Sequence, residues 1–456
     1  MIWNELESAL AQRRAQGLLR TRRTVQSPAG PQAVVDGQAL LSFCSNDYLG
    51  LAADARVAAA VAEGAQRWGA GSGASHLVSG HLEPFDRLEE RLAIFTGFER
   101  ALFFSTGYMA NLAIVPALAG RGDAVFADRL NHASLIDAVQ LSRAEHVRYA
   151  HKDMVALERL LAQSTARRKL IVSDAVFSMD GDLAPLRELL ALAERFDAWL
   201  VIDDAHGLGV LGPQGRGSLA HLGLSATPRI ILMGTLGKAV GVSGAFVAAS
   251  APVIEWLLQT ARTYIFTTAA SPAVACGVLA ALEVLASPDG DARRAHLQRL
   301  IAHLRSALAD SPWRLLPSAT AIQPLHVGDN HAALALQHRL MQQGLWVPAI
   351  RPPTVPPGTA RLRISLSAAH TLADVDRLVA ALPESALHES SSQVVAADRD
   401  GMRGTSRSNG SSHCEDEQRS RAPKSADARG AVIGAKHPNH LLMPPAAAEA
   451  KAPPCV

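Results

Sequence analysis

From about residue 50 to 260, short apolar runs alternate with stretches of helical periodicity. The runs at 101–104, 124–126, 170–172, 199–202, 230–233 and 245–247 read as buried strands. Ahead of them, 84–95 sets Phe85, Leu88, Leu92 and Phe95 at helical spacing behind Pro84, a residue suited to a first helical position. Strand–helix alternation of this kind predicts an α/β fold with a mainly parallel central sheet covered on both faces. Ligands of such sheets lie at the carboxyl ends of the strands. Residues 2–16 predict a short amphipathic helix with Ile2, Leu6 and Leu10 on one side, closed by Gly17.

A smaller α/β unit follows, with helical patterns near 293–309, 331–343 and 371–381 and strands at 322–327 and 362–366. After Pro383 the periodicity stops and Ser, Gly, Pro, Ala and charge dominate, which predicts a disordered tail. The expected organisation is therefore an N-terminal helix and arm (1–45), a large domain (46–275), a small C-terminal α/β domain (276–384) and the tail (385–456).

Composition narrows the function. Over 456 residues, 44 basic and 42 acidic side chains nearly balance, which argues against a nucleic-acid or membrane partner. No uncharged apolar run reaches the roughly 18 residues of a spanning helix. The start, MIWNELESAL, lacks the basic-then-apolar order of a signal peptide, so a cytoplasmic location is expected. Cys44, Cys276, Cys414 and Cys455 are too scattered to suggest a disulfide framework or a metal site. The six lysines are outnumbered by 38 arginines, and only Lys152, Lys169 and Lys238 precede residue 400. A lysine kept in an arginine-rich chain is a candidate for Schiff-base chemistry, which guanidinium cannot do.

Lys238 lies in a glycine-rich stretch, 234–244, with no acid nearby. A loop lysine is ordinarily just exposed, but flanking glycines permit close approach of a ligand. Asp203, Asp204 and His206 follow the 199–202 strand. One carboxylate there suits a protonated ring nitrogen and His206 a neighbouring ring substituent; a pair of turn-capping acids is the plain alternative. Ser105, Gly107, Tyr108 and Asn111 open a helix whose N-terminus suits a phosphate, unless it is simply capped. His132 could stack on a flat ring or be structural. Arg351, among prolines, suits a carboxylate or is a solvated loop arginine. Gly207, Gly209 and Gly212 match GxGxxG, but Pro213 and Gly215 follow where a helix should open, and no acid occurs between Asp204 and Glu255. A nucleotide-binding oxidoreductase is thus disfavoured. A phosphate seat, a ring-nitrogen carboxylate, a stacking His and a Schiff-base Lys together describe pyridoxal 5'-phosphate.

These features carry a resemblance. The segments SNDYLG (45–50), GAGSGASHLVSG (69–80), STGYMANLA (105–113), DRLNHASLIDA (128–138), VFSMDGDLAPL (176–186), IDDAHGLGVLG (202–212) and TLGKAVGVSGAF (235–246) resemble the α-oxoamine synthases. That family is pyridoxal-phosphate dependent and has the aspartate-aminotransferase-like fold type I. DDAHG, GVSGAF and RPPTVPPGTARLRISLSAAHT (351–371) look like its alanine-using branch. The resemblance implies decarboxylative condensation of L-alanine with a pimeloyl thioester, on acyl carrier protein or coenzyme A, in biotin synthesis. The alternatives are a sister synthase using glycine or serine and a non-catalytic partner subunit. It further implies Lys238 as the lysine bound to the cofactor, Asp203 on its ring nitrogen, and His206 and Ser178 about its phenolic oxygen. Gly107, Tyr108 and Thr235 match phosphate contacts, and His132 stacks on the ring and reaches substrate. Arg351 would fix the alanine carboxylate, with Thr354 and Arg20 as further substrate contacts, Arg22 and Arg23 competing with Arg20. The family's site lies in a homodimer, with Thr267 and Thr268 supplied by the second subunit.

Overall fold

A computed structural model describes residues 2–383; the expected tail lies outside the described residues. Two N-terminal strands, β1 (Gln32–Val35) and β2 (Gln38–Ser42), form an antiparallel hairpin. The central sheet holds β3 (Arg100–Phe104), β4 (Ala124–Asp128), β5 (Glu145–Tyr149), β6 (Lys169–Asp174), β7 (Trp199–Asp203), β8 (Ile230–Thr235) and β9 (Ala245–Ala249). Their order is β3-β9-β8-β7-β6-β4-β5. Only β9 runs against its neighbours, while the pairs from β8 to β5 are parallel. The six apolar runs are all strands here. The sequence pattern missed β5, because EHVRY is an edge strand whose side chains are mostly half-buried or exposed and charge on an edge discourages further pairing.

The helix Glu83–Thr96 buries Phe85, Leu88, Leu92 and Phe95 as the spacing requires, with Pro84 in its first turn. The short N-terminal helix, Ile2–Ala15, is present, but it buries nothing. Ile2 and Trp3 are 73% and 76% exposed, so its expected apolar face has no partner within the described residues.

The C-terminal part contributes β10 (Ile322–Gly328), β11 (Leu345–Trp346), β12 (Ala349–Ile350) and β13 (Ala360–Ser365). β13 lies between β10 and β12, and β11 extends the β1–β2 hairpin, so the N-terminal arm and the C-terminal part share one small sheet. Helices Pro288–Ala307, Asn330–Gln342 and Leu372–Ala381 match the three helical patterns. Two consequences matter for the site. β6, β7 and β8 end side by side at Asp174, Asp203 and Thr235. On β13, Arg361, Arg363 and Ser365 share one face by the period of two, and both arginines bond the 178–180 loop.

Candidate active site

Lys238 follows β8 by three residues, and its amine is buried. Its Nζ lies 2.8 Å from His206 Nε2. Burial pushes this amine down to about 8, against the pull of the Asp203 and Asp174 carboxylates, with Arg363 adding to the fall. His206 is held neutral, well below its ordinary range, by burial and then by the charges of Lys238 and Arg363. Its Nδ1 is 2.7 Å from the Tyr48 hydroxyl. Tyr48 donates to Asn46 Oδ1 at 3.1 Å and accepts from Arg363 Nη2 at 3.3 Å. These partners assign the proton of neutral His206 to Nδ1, leaving Nε2 to accept from the lysine. One chain of contacts thus runs Lys238–His206–Tyr48–Arg363.

Asp203 ends β7 and is 3% exposed. It accepts from Asn111 Nδ2 at 2.8 Å and from the Ala205 N–H at 3.0 Å. The other Asn111 hydrogen goes to Ser134 Oγ, 2.9 Å away, and Ser134 Oγ lies 2.7 Å from His132 Nδ1. Asn111 therefore ties the carboxylate to the histidine, while its own Oδ1 is buried without a partner. The backbone N–H of His132 donates to Asp174 Oδ2 at 2.6 Å. With Nδ1 accepting from Ser134, the ring presents Nε2–H outward.

Of the two adjacent acids, Asp203 faces this cluster and Asp204 turns away, as alternation at a strand end requires. Asp204 accepts from the backbone and hydroxyl of Ser218, and burial lifts its carboxyl to about 7. A Cβ at Gly207 or Gly217 would lie 2.1 or 2.2 Å from its oxygens. That is what the first glycine of the GxGxxG match does: it clears room for a buried carboxyl, and only a single 3₁₀ turn, Pro213–Gly215, follows the third glycine.

Thr106 caps the helix Gly107–Leu118 through Met109 N, and the Gly107 and Tyr108 N–H groups donate to nothing within the described residues. Tyr108 bonds Asp137 and lies edge-on to His132, 6.4 Å between ring centres. Thr235 Oγ1 donates to Gly244 O at 3.2 Å. The Ser178 carbonyl accepts from Arg363 Nε at 2.7 Å, and Arg361 holds the same loop through Asp180. Behind that loop, His151 sits between Asp128 and Asp182. Burial opposes its charge, but those two carboxylates outweigh burial and push it up to about 9.

Arg351 is not beside Lys238. It bonds the Gly17 carbonyl and, with Arg20, Thr354 and Leu18, lines a separate cleft of about 70 Å³. Arg20 Nη2 donates to Thr354 Oγ1 at 3.2 Å, and Arg351 Nε is buried without a partner. Arg22 is exposed, and Arg23 pairs with Asp36. The separation has a simple origin. Ile350 pairs with Arg361 across β12 and β13, so Arg351 leaves the sheet at the end away from Arg363. The guanidinium that reaches the lysine's contacts is Arg363, which the sequence reading did not single out. It is 5% exposed and has no carboxylate partner among the described residues, an arrangement that favours an anionic ligand. Its one sequence signal is the Arg–x–Arg spacing on an apolar strand. Thr267 and Thr268 are not part of this cluster: Thr268 is exposed and pairs with Ser75.

A buried amine near neutrality, a buried carboxylate across from it, unclaimed helix N–H groups and an orphaned amide oxygen fit pyridoxal phosphate in ring nitrogen, reactive carbon and phosphate. Comparison with known proteins agrees. Residues 38–382 match the family Aminotransferase class I and II. The 8-amino-7-oxononanoate synthase of Herminiimonas arsenicoxydans is 66% identical over 384 residues, covering 84% of this chain and 99% of that one. Among solved structures, SPT with its PLP internal aldimine superposes with a TM-score of 0.78 at 32% identity, covering 83% of this chain and 96% of that one. The 8-amino-7-oxononanoate synthase of Francisella tularensis gives 0.66 at 30% identity, over 75% and 96%.

Proposed function

The chain belongs to the aminotransferase class I and II family, and from that premise we propose that it works as an 8-amino-7-oxononanoate synthase. It joins L-alanine to a pimeloyl thioester with loss of CO₂ and free thiol, in biotin synthesis, on fold type I with pyridoxal 5'-phosphate. The observation that carries the chemistry is the buried Lys238 amine, hydrogen-bonded to neutral His206 and, among the described residues, to no carboxylate.

Bound pyridoxal phosphate supplies the electron sink for a carbanion at the amino-acid Cα. Lys238, desolvated and near neutrality, removes that Cα proton, a role worth about 10²–10⁴-fold. Asp203 holds a proton on the ring nitrogen by charge pairing. The Gly107 and Tyr108 N–H groups, with Thr235, receive the phosphate at a helix N-terminus. His206 and Ser178 would hold the cofactor's phenolic oxygen. His132 would cover its ring, with Nε2–H free to donate to a developing ketone oxygen. Arg363, an unpaired buried cation, holds the alanine carboxylate, and Arg20, Arg351 and Thr354 take the far carboxylate of the pimeloyl group.

The two arginine roles separate in kinetics. Arg363→Gln is expected to raise KM for L-alanine about ten- to a hundredfold, the weight of a charge-assisted hydrogen bond. Arg351→Gln raises instead the KM for the thioester. Steady-state thiol release with each substrate varied in turn checks this, and the reverse pattern would exchange the assignments.

The proposed enzyme is a cytoplasmic homodimer in which Thr267 and Thr268 complete the partner's site. Their position away from Lys238 in a single chain supports that reading. The deciding assay is thiol release from pimeloyl-CoA by the cofactor-loaded protein with L-alanine, glycine or L-serine, with product mass recorded. Release with alanine and the decarboxylated condensation mass is expected. Preference for glycine or serine would move the chain to a sister synthase.

A further inference from the structure

Two carboxyls lie side by side at the floor of this site, and only one has a role so far. Asp174 and Asp203 are register partners at the ends of adjacent parallel strands, so both side chains leave the same face of the sheet about 4.8 Å apart. Each is 3% exposed. Two carboxylates so close and so dry do not both ionise.

The donors decide which one carries the charge. Asp203 accepts two hydrogen bonds, from Asn111 Nδ2 and the Ala205 N–H. Asp174 accepts one among the described residues, from the His132 N–H. The Asp174 backbone is itself pinned, its N–H donating to Asn131 Oδ1 at 3.2 Å. His132 is thereby held at two points, its N–H by Asp174 and its Nδ1 by Ser134.

We propose that Asp174 is a positioning residue that acts as the neutral acid: its oxygen anchors the His132 backbone, and so the ring, while the single negative charge stays on Asp203. The proposal rests on the reading of Asp203 and His132 given above. It explains why an acid at 174 does not spoil the site. A second charge beside Asp203 would raise the proton affinity of the Lys238 amine and leave less of its basic form at neutral pH. The groups facing Asp174 are Asp203 on β7, Lys238 after β8, Asp128 on β4 and the His132 backbone. Burial, then the Asp203 charge, hold its carboxyl well above the usual range, and the His132 N–H and Lys238 do not reverse this.

The test uses cofactor-loaded Asp174→Asn and Asp174→Ala proteins. The asparagine oxygen still accepts from His132 and is neutral, so D174N is expected within about threefold of wild type in kcat, with an unchanged pH profile and cofactor absorbance. D174A loses the anchor and is expected to fall tenfold or more in kcat with the cofactor retained. A D174N enzyme as impaired as D174A would show that the charged form is required, and a D174A enzyme at wild-type rate would show that nothing is positioned; either overturns the proposal. Infrared difference spectra, wild type minus whichever variant folds, add a readout independent of turnover. They are expected to show a protonated-carboxyl stretch at pH 7 that the variant lacks, and its absence overturns the neutral state. Should wild type release no thiol with alanine, the proposed reaction falls while the spectra still decide the protonation of Asp174.

Discussion

Lys238→Ala reduces thiol release from L-alanine and a pimeloyl thioester by at least about a thousandfold, within the range expected for losing a positioned general base together with the cofactor's covalent anchor. Among the described residues no other lysine can substitute. Lys152 is engaged with Asp182 on the loop side of the sheet, and Lys169 opens β6 at its far end. Wild-type rate carries the signature of the same amine. Its proton affinity is lowered from the ordinary lysine value to about 8 by burial. The basic form is therefore present above about pH 8 and is lost tenfold per unit below it. Single-turnover thiol release is expected to rise with pH, reach half its maximum near 8 and level off above it. Turnover by Lys238→Ala at wild-type rate would end the assignment, and a flat profile from pH 6 to 9 would remove the proton-abstraction role.

Asp203→Asn is expected to lower kcat about 10²–10⁴-fold while the protein still folds and takes up the cofactor. The asparagine oxygen can still accept from one of the two donors, Asn111 Nδ2 or the Ala205 N–H, while its amide nitrogen faces the other, so the hydrogen-bonded frame survives in part. What disappears is the charge that stabilises a protonated ring nitrogen. Breaking a buried charge pair from one side removes about 3–5 kcal/mol, and each 1.36 kcal/mol is a factor of ten in rate. The loss should appear in kcat more than in KM, because the charge matters most when the carbanion forms. Thiol-release kinetics beside a cofactor titration checks this; unchanged kcat with full cofactor binding would remove the role of Asp203. Asp174→Asn, one strand away, is the internal control with the opposite expectation.

Much of this was legible in the amino-acid order. Six strand runs and the helix with Phe85 and Leu88 inward follow from periodicity alone, since a side chain's face is set by its place in a repeat of two or 3.6. Lysine scarcity drew attention to Lys238, and strand-end position to Asp203, His206 and His132. Local pattern did not reveal the members joined across long separations. Tyr48 and Arg363 are 315 residues apart, Asn111 and Asp203 are 92 apart, and His132 meets Asp174 only because β4, which leads to it, pairs with β6. Arg351 looked the better carboxylate ligand because prolines advertise it, yet the β12–β13 register carries it away and brings the less conspicuous Arg363 inward. Likewise, only the backbone at the end of β7 distinguishes Asp203 from Asp204, one in the site and one packed beneath Gly207 and Gly217. The sequence alone determined which elements form and which chemistry they carry, because periodicity and residue type are local. Tertiary structure decided which side chains meet, because strand register and burial are properties of the whole sheet.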